Sequence, residues 1–294
     1  SYCLAGSACV ASAADPAKGA CLIEAKGACD AAAANPFCVE GTSCVEGTDG
    51  ETACLIPAGE DCDVADAGNA DAPCAPDLSC IASEDGQSAQ CLIPAGAECD
   101  ATAPESHCAT GTSCTDDGTG KTACLIPLGG ECDLQAAHCV PEAQCFEIPA
   151  EEGQTDAPTP ECRIPRGGEC DEAAADPFCA PKLMCAELES GSHACHPHVY
   201  IQGIVRDALT SDAIEGAHII ARNEELVAVT DVAISDAEGN YQLELPTVRD
   251  ADGKPLDFAY TLRAAAMLYD TFPGGLRTAL PIFGAEATEK DDAW

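Results

Sequence analysis

The spacing of its cysteines constrains this chain more than any other feature. From Ser1 to Cys195 one grammar recurs: Cys-x5-Cys, a variable loop, then a connecting segment Cys-[Leu/Arg]-Ile-Pro-x-Gly-x-x-Cys. The connector stands at Cys54 into Cys62, Cys91 into Cys99, Cys124 into Cys132 and Cys162 into Cys170, with a looser copy from Cys21 to Cys29. All 23 cysteines of the 294-residue chain lie in residues 1–195. At that density the default reading is a disulfide framework made in an oxidising compartment, so export is inferred from the cysteines.

Counting from the cysteine that closes each connector gives five four-cysteine units: Cys29/38/44/54, Cys62/74/80/91, Cys99/108/114/124, Cys132/139/145/162 and Cys170/179/185/195. Cys3, Cys9 and Cys21 are the last three cysteines of a sixth. Successive first cysteines are 33 to 38 residues apart, below the size at which a domain usually holds together on its own core. Their few apolar side chains sit mainly in the connectors, such as Leu125, Ile126 and Leu128. Crosslinks must supply the rest, and one closing a loop of about 15 residues contributes about 3 kcal/mol by restricting the unfolded chain.

Four cysteines allow three pairings. The expected one is crossed, first to third and second to fourth, because it ties the start of each unit to its end: Cys29 to Cys44, Cys38 to Cys54, Cys62 to Cys80, Cys74 to Cys91, Cys99 to Cys114, Cys108 to Cys124, Cys132 to Cys145, Cys139 to Cys162, Cys170 to Cys185 and Cys179 to Cys195. The same rule joins Cys3 to Cys21 and leaves Cys9 unpaired or intermolecular. Either the chain starts inside a longer protein with more repeats, or Ser1 is a true terminus and the incomplete unit offers a thiol to the next subunit. In the second case head-to-tail contacts that do not close give a filament. Within each unit an Asp follows the first cysteine (Asp30, Asp63, Asp100, Asp133, Asp171) and is read as the cap of one helical turn. The polar, Gly-containing stretch before the fourth cysteine is read as a two-stranded ribbon. The array resembles the four-cysteine repeats of secreted bacterial proteins, loosely like epidermal-growth-factor or Dickkopf-type modules, and that resemblance implies a spacer or binding role.

From His196 onward the cysteines stop and apolar alternation begins, with strands expected at 199–205, 218–221, 226–234, 241–245 and 258–268. Ile204, Ile219, Val227, Val229, Leu243, Leu245, Tyr260 and Leu262 are the expected core. Gln202-Gly203-Ile204-Val205-Arg206-Asp207, Ile214-Glu215-Gly216-Ala217 and the turn Asp236-Ala237-Glu238-Gly239-Asn240-Tyr241 resemble the carboxypeptidase regulatory-like family. That resemblance implies a transthyretin-like antiparallel β-sandwich with no chemistry of its own. The expected architecture is therefore small disulfide-rich repeats in tandem over 1–195, followed by an all-β antiparallel sandwich over 196–294.

Charge removes several function classes. The chain carries 13 Lys and Arg against 51 Asp and Glu, a net charge of −38, so nucleic acid and anionic membrane, which require a basic face, are not expected partners. No apolar run reaches the roughly 18–20 residues of a membrane span, so membrane insertion is not expected. Zinc and iron–sulfur sites would show Cys-x2-4-Cys knuckles, whereas the shortest spacing here is Cys-x5-Cys. His196-Pro197-His198 is read as a solvated linker. Calcium is the one metal weighed, at Asp116-Asp117-Gly118 and Asp250-Ala251-Asp252-Gly253, but neither completes an EF-hand loop, so no cofactor is expected. With no Gly-x-Ser-x-Gly, no His-Glu-x-x-His and no isolated cysteine with a paired histidine, no catalytic residue is assigned. The expectation is a non-enzymatic extracellular structural protein, a stiff rod of nearest-neighbour repeats carrying a sandwich and self-associating head to tail. The alternatives are a protein- or glycan-binding module, disfavoured by 4% aromatic content, and an accessory region of a larger secreted enzyme.

Overall fold

A computed structural model describes residues 7–11, 19–33, 37–47, 49–83, 85–149, 158–256, 259–274, 281–290 and 293. Cys3, and with it the partner expected for Cys21, lies outside them, as does Phe258 in the last expected strand. The chain divides into two compact units, Ser1–Pro141 and Glu142–Trp294. The first holds the N-terminal repeats, and the second holds the last complete repeat together with the sandwich.

Each repeat is built on an antiparallel ribbon between its third and fourth cysteines. Ser43–Glu46 pairs with Thr52–Leu55, Ser79–Ala82 with Ala89–Leu92, Ser113–Asp116 with Thr122–Leu125 and Leu183–Glu187 with His193–Pro197. The register sets the third cysteine directly across from the fourth: Cys44 from Cys54, Cys80 from Cys91, Cys114 from Cys124 and Cys185 from Cys195. Facing residues of an antiparallel pair lie on the same face, so both sulfurs point to one side. The residue before the first cysteine adds to the ribbon as a third strand, through Ala28 on Ala53, Glu98 on Ala123 and Glu169 on Ala194.

The Asp after the first cysteine forms a turn rather than a helix. Its Oδ1 accepts from the amide two residues on, as in Asp30 with Ala32 and Asp100 with Thr102, and its carbonyl accepts from the amide three residues on. Only Asp63 goes further, opening a single 3-10 turn over Val64–Asp66. The expected helical turn is thus corrected at the other four positions. An Asx turn already satisfies the exposed amides, and no apolar face exists to be buried by continuing.

After the sulfurs, the sandwich has the largest core. A two-stranded sheet of Tyr200–Ile204 and Asn240–Glu244 faces a four-stranded sheet ordered Ala233–Ile234, His218–Arg222, Ala259–Ala265, Pro281–Phe283. Val199, Ile201, Leu243 and Leu245 from the first side meet Ile219, Ala221 and Tyr260 from the second, with Ile214 and Ala217 closing one end. Val229 and Leu262 pack at the margin.

Two expected core positions are wrong. Ile204 is exposed because the inward positions of its strand are Val199 and Ile201, the alternate register, so an even-numbered residue faces out. Val227 is exposed because residues 223–227 form a tight turn, with Asn223 N–H donating to Val227 O and Val227 N–H to Asn223 Oδ1. The strand expected over 226–234 shrinks accordingly to Ala233–Ile234, and the strand Pro281–Phe283 was not anticipated.

Leu243→Ala should cost about 2–5 kcal/mol by opening a cavity between the sheets, while Ile204→Ala should stay within about 0.5 kcal/mol. Denaturant unfolding of the oxidised full chain, followed at the amides of residues 199–265, checks the contrast.

Candidate functional site: the repeat connector and the junction with the sandwich

The disulfides of four repeats follow one crossed pattern. They join first to third cysteine in Cys29–Cys44, Cys62–Cys80, Cys99–Cys114 and Cys170–Cys185, and second to fourth in Cys38–Cys54, Cys74–Cys91, Cys108–Cys124 and Cys179–Cys195. Cys21, Cys132, Cys139, Cys145 and Cys162 are also disulfide-bonded. Cys9 lies on the strand Ser7–Ala11, across from Cys21 on Gly19–Ile23.

Because third and fourth cysteines share a ribbon face, the two disulfides of a repeat stack. The sulfurs of Cys29, Cys38 and Cys54 lie within 4.8 Å of one another, as do those of Cys62, Cys74 and Cys91, of Cys99, Cys108 and Cys124, and of Cys170, Cys179 and Cys195. Among the described residues the only clusters of three possible metal ligands are cysteine clusters of this kind, and each of their sulfurs is already in a disulfide. The fourth cysteines, Cys54, Cys91, Cys124, Cys162 and Cys195, are fully buried, which makes each crosslink the centre of its repeat's core.

Each connector carries this arrangement into the next repeat. Its Ile forms a parallel β-bridge with the second cysteine that follows: Ile23 with Cys38, Ile56 with Cys74, Ile93 with Cys108, Ile126 with Cys139 and Ile164 with Cys179. Ile93 N–H donates to His107 O at 2.8 Å, and Ala109 N–H returns to Ile93 O at 2.8 Å. Three residues beyond the Ile, the connector turns back and its amide donates to the fourth-cysteine carbonyl of the following repeat: Gly59 to Cys91, Gly96 to Cys124 and Gly167 to Cys195, at 2.8–2.9 Å.

That amide requires a left-handed backbone, with φ of 83° at Gly59 and Gly96. In the looser first copy Lys26 takes the same place with φ 64° and donates to Cys54 O at 2.8 Å. The working glycine position is therefore occupied by a lysine there, and the neighbouring Gly27 is not its equivalent. The expectation of purely nearest-neighbour contacts also needs correction. A Cβ on Gly59 would stand 2.6 Å from Nδ1 of His107, and one on Gly96 would collide with His138, each histidine belonging to the repeat after next. Three consecutive repeats therefore meet at these two connectors.

In the connector after Cys162, Arg163 stands where the others have Leu. It is held by Glu161 at 2.7 Å and Asp176 at 2.9 Å, and its guanidinium lies 5.5 Å from the Phe178 ring centroid. This half-buried network offsets the lost apolar contact.

The last repeat passes directly into the sandwich, and the histidine pair there is no solvated linker. His196 is 2% exposed, lies on the strand His193–Pro197 and packs on Gly253. Its Nδ1 has no hydrogen-bond partner. His198 points elsewhere, bonding Glu244 at 2.6 Å and stacking on Tyr200. In one continuous strand residues two apart would share a face; here the strand His193–Pro197 ends at Pro197 and the next begins at Tyr200, so the two rings part at the break between them.

Beside His196 lies Arg249, fully buried, whose guanidinium donates to the carbonyls of Pro197 at 2.9 Å, Gly253 at 3.3 Å and Thr247 at 3.3 Å. Its backbone continues the last ribbon: Arg249 N–H donates to Glu187 O and Glu189 N–H to Arg249 O. Burial pushes the Arg249 pKa down to about 10, with Arg166 adding to the shift, so it stays a cation at neutral pH. Sequence reasoning gave Arg249 no role, since an Arg between Val248 and Asp250 reads as a surface turn.

The acidic loops weighed for calcium commit their carboxylates to turns. Asp117 Oδ1 accepts from Thr119 N–H and Oγ1, and Asp250 Oδ1 accepts from Asp252 and Lys254 N–H. Elsewhere on the sandwich an open cavity of about 820 Å³ is lined by Val205, Leu209, Ile214, Tyr269 and Phe272. Leu209 lines it almost fully exposed, and Met267 and Leu268, also highly exposed, precede Tyr269 in the chain.

Comparison with protein-family models, with curated proteins and with solved structures finds no match to this chain. What stands is a cysteine-rich tandem array with a small β-sandwich, and crosslinking this dense is characteristic of extracellular structural or binding modules. Among the described residues no helix is long and apolar enough to cross a membrane.

Burial, then Arg249 and Arg166, hold the His196 pKa below the ordinary imidazole value of 6.5, with Asp250 opposing. The unfolded chain takes up a proton near that value and the folded chain does not, so His196 makes stability fall as pH drops below about 6.5. Thermal unfolding between pH 8 and pH 5 should show the decline, and His196→Gln should flatten it.

Proposed function

We propose that the protein is a non-enzymatic extracellular structural protein, in which the disulfide-stapled array is a stiff spacer carrying the sandwich. Copies self-associate head to tail into a surface fibre, stalk or matrix. The observation that carries this reading is the repetition of one connector. The same Ile bridge recurs at five junctions, so each added repeat extends the array through an equivalent set of backbone bonds. Low Lys and Arg content and buried crosslinks also suit a protein exposed to proteases.

A second reading, an extracellular protein- or glycan-binding module, is favoured by the exposed apolar side chains at and near the 820 Å³ cavity. Leu209→Asp would abolish such binding to immobilised glycans or matrix proteins and would leave assembly unchanged.

Electron microscopy of native material, with intact mass of the oxidised chain, tests the first reading. Ordered polymers built of one chain type are the expected result; dispersed monomers at all concentrations would contradict it.

A further inference from the structure

We infer that the sandwich has two complementary open edges, and that residues 228–234 of one copy add as an extended strand along the free edge of Tyr200–Ile204 in a second copy. This rests on the self-association reading and names the surfaces that would carry it.

The receiving edge follows from backbone pairing. Leu245 N–H donates to Val199 O and Val205 N–H to Gly239 O, each at 2.8 Å. In an antiparallel pair the bonded residues alternate, so the odd-numbered positions of this strand turn their amides and carbonyls toward Asn240–Glu244. Tyr200 and Gln202 turn theirs the other way, where among the described residues no backbone group meets them. That side opens on a cleft of about 570 Å³ lined by Val199, Ile201, Leu245 and Ile282, with the edge strand Pro281–Phe283 across it. A sheet of two strands facing one of four leaves room for another strand there.

The donated segment is Ala-Val-Thr-Asp-Val-Ala-Ile, rich in the β-branched residues that suit a strand. In its own chain it is held on one side alone, by the ladder pairs of Ala233 and Ile234, the bridge of Ala228 to Arg222 and Val229 N–H donating to Ala221 O. Val232 and Ile234 are left 56% and 63% exposed. Ser235 N–H donates to Ala217 O, so by the same alternation the backbone of Ile234 faces away from its sheet.

Electrostatics selects a second copy as the occupant. Chains of net charge −38 repel, so they can approach only where charge is locally absent. Tyr200–Ile204 holds no charged residue, the cleft wall balances Lys290 against Glu286, and the segment carries the single charge Asp231. Natural sheet edges are usually guarded by charges or Pro; the receiving edge has neither, and the donating one has only Asp231. Sheet order sets the donating edge and the cleft at opposite ends of the sandwich, so pairing leaves one edge of each kind free and the assembly stays open.

The test uses the full oxidised chain in sedimentation velocity at about 0.15 M and 0.5 M salt, where screening lengths fall below 10 Å. Wild type should form a ladder of oligomers that lengthens with salt. Val232→Lys disables the donor and Gln202→Pro the receiver, since the proline removes an outward amide that an edge can spare; each should weaken association at least tenfold. Their equimolar mixture should stop at dimers, because one intact donor meets one intact receiver. Ile234→Lys serves as the donor variant if Val232→Lys does not fold. Oligomers unaffected by either variant would overturn the edge assignment while leaving self-association standing. A wild type that is monomeric at both salt concentrations would overturn both.

Discussion

The stacked pair of disulfides at each ribbon is the constraint on which the rest of the array depends. A short antiparallel ribbon sets its two cysteines on one face, and each reaches back to a different earlier segment, so a single sulfur cluster ties four points of a chain about 35 residues long. That cluster replaces the hydrophobic core, since the fourth cysteines are fully buried and few other side chains are. The connector works only because this frame is rigid. Ile93 and Gly96 donate to carbonyls of a repeat whose own position is fixed by Cys99–Cys114 and Cys108–Cys124.

The sandwich solves the same problem by the ordinary route. It has no cysteine and relies on two apolar faces, with Ile219 and Leu245 almost fully buried between them. The junction joins the two modes of stabilisation through a buried cation. Arg249 has no carboxylate partner among the described residues and is held by three carbonyls. Burial first, and this cation second, hold the pKa of His196 beside it down, which makes the junction sensitive to acid.

Much of this architecture is legible in the sequence because cysteine spacing and turn chemistry are local. The ribbons follow from the polar Gly-containing stretches, and the Asx turns follow from the Asp after each first cysteine, although without an apolar face they do not become helices. Spacing alone leaves three pairings open, and the structure joins first to third and second to fourth where it describes them. Less legible were features set by tertiary partners. Ile204 and Val227 look like core residues, but register and a tight turn put them outside. Lys26 hides a left-handed position that only alignment on the fourth cysteine reveals, and Arg249 gains its role from Pro197, 52 residues away.

The central claim is that sulfur holds the array and apolar packing holds the sandwich. Hydrogen exchange on the full chain before and after reduction by a dithiol tests it most directly. The account predicts that the amides of Ile93, Gly96 and Gly167 are protected in the oxidised protein and exchange freely after reduction, while those of Leu245 and Val229 keep their protection. Retention of protection at Ile93 and Gly96 after full reduction, or its loss at Leu245 to the same degree, would contradict it.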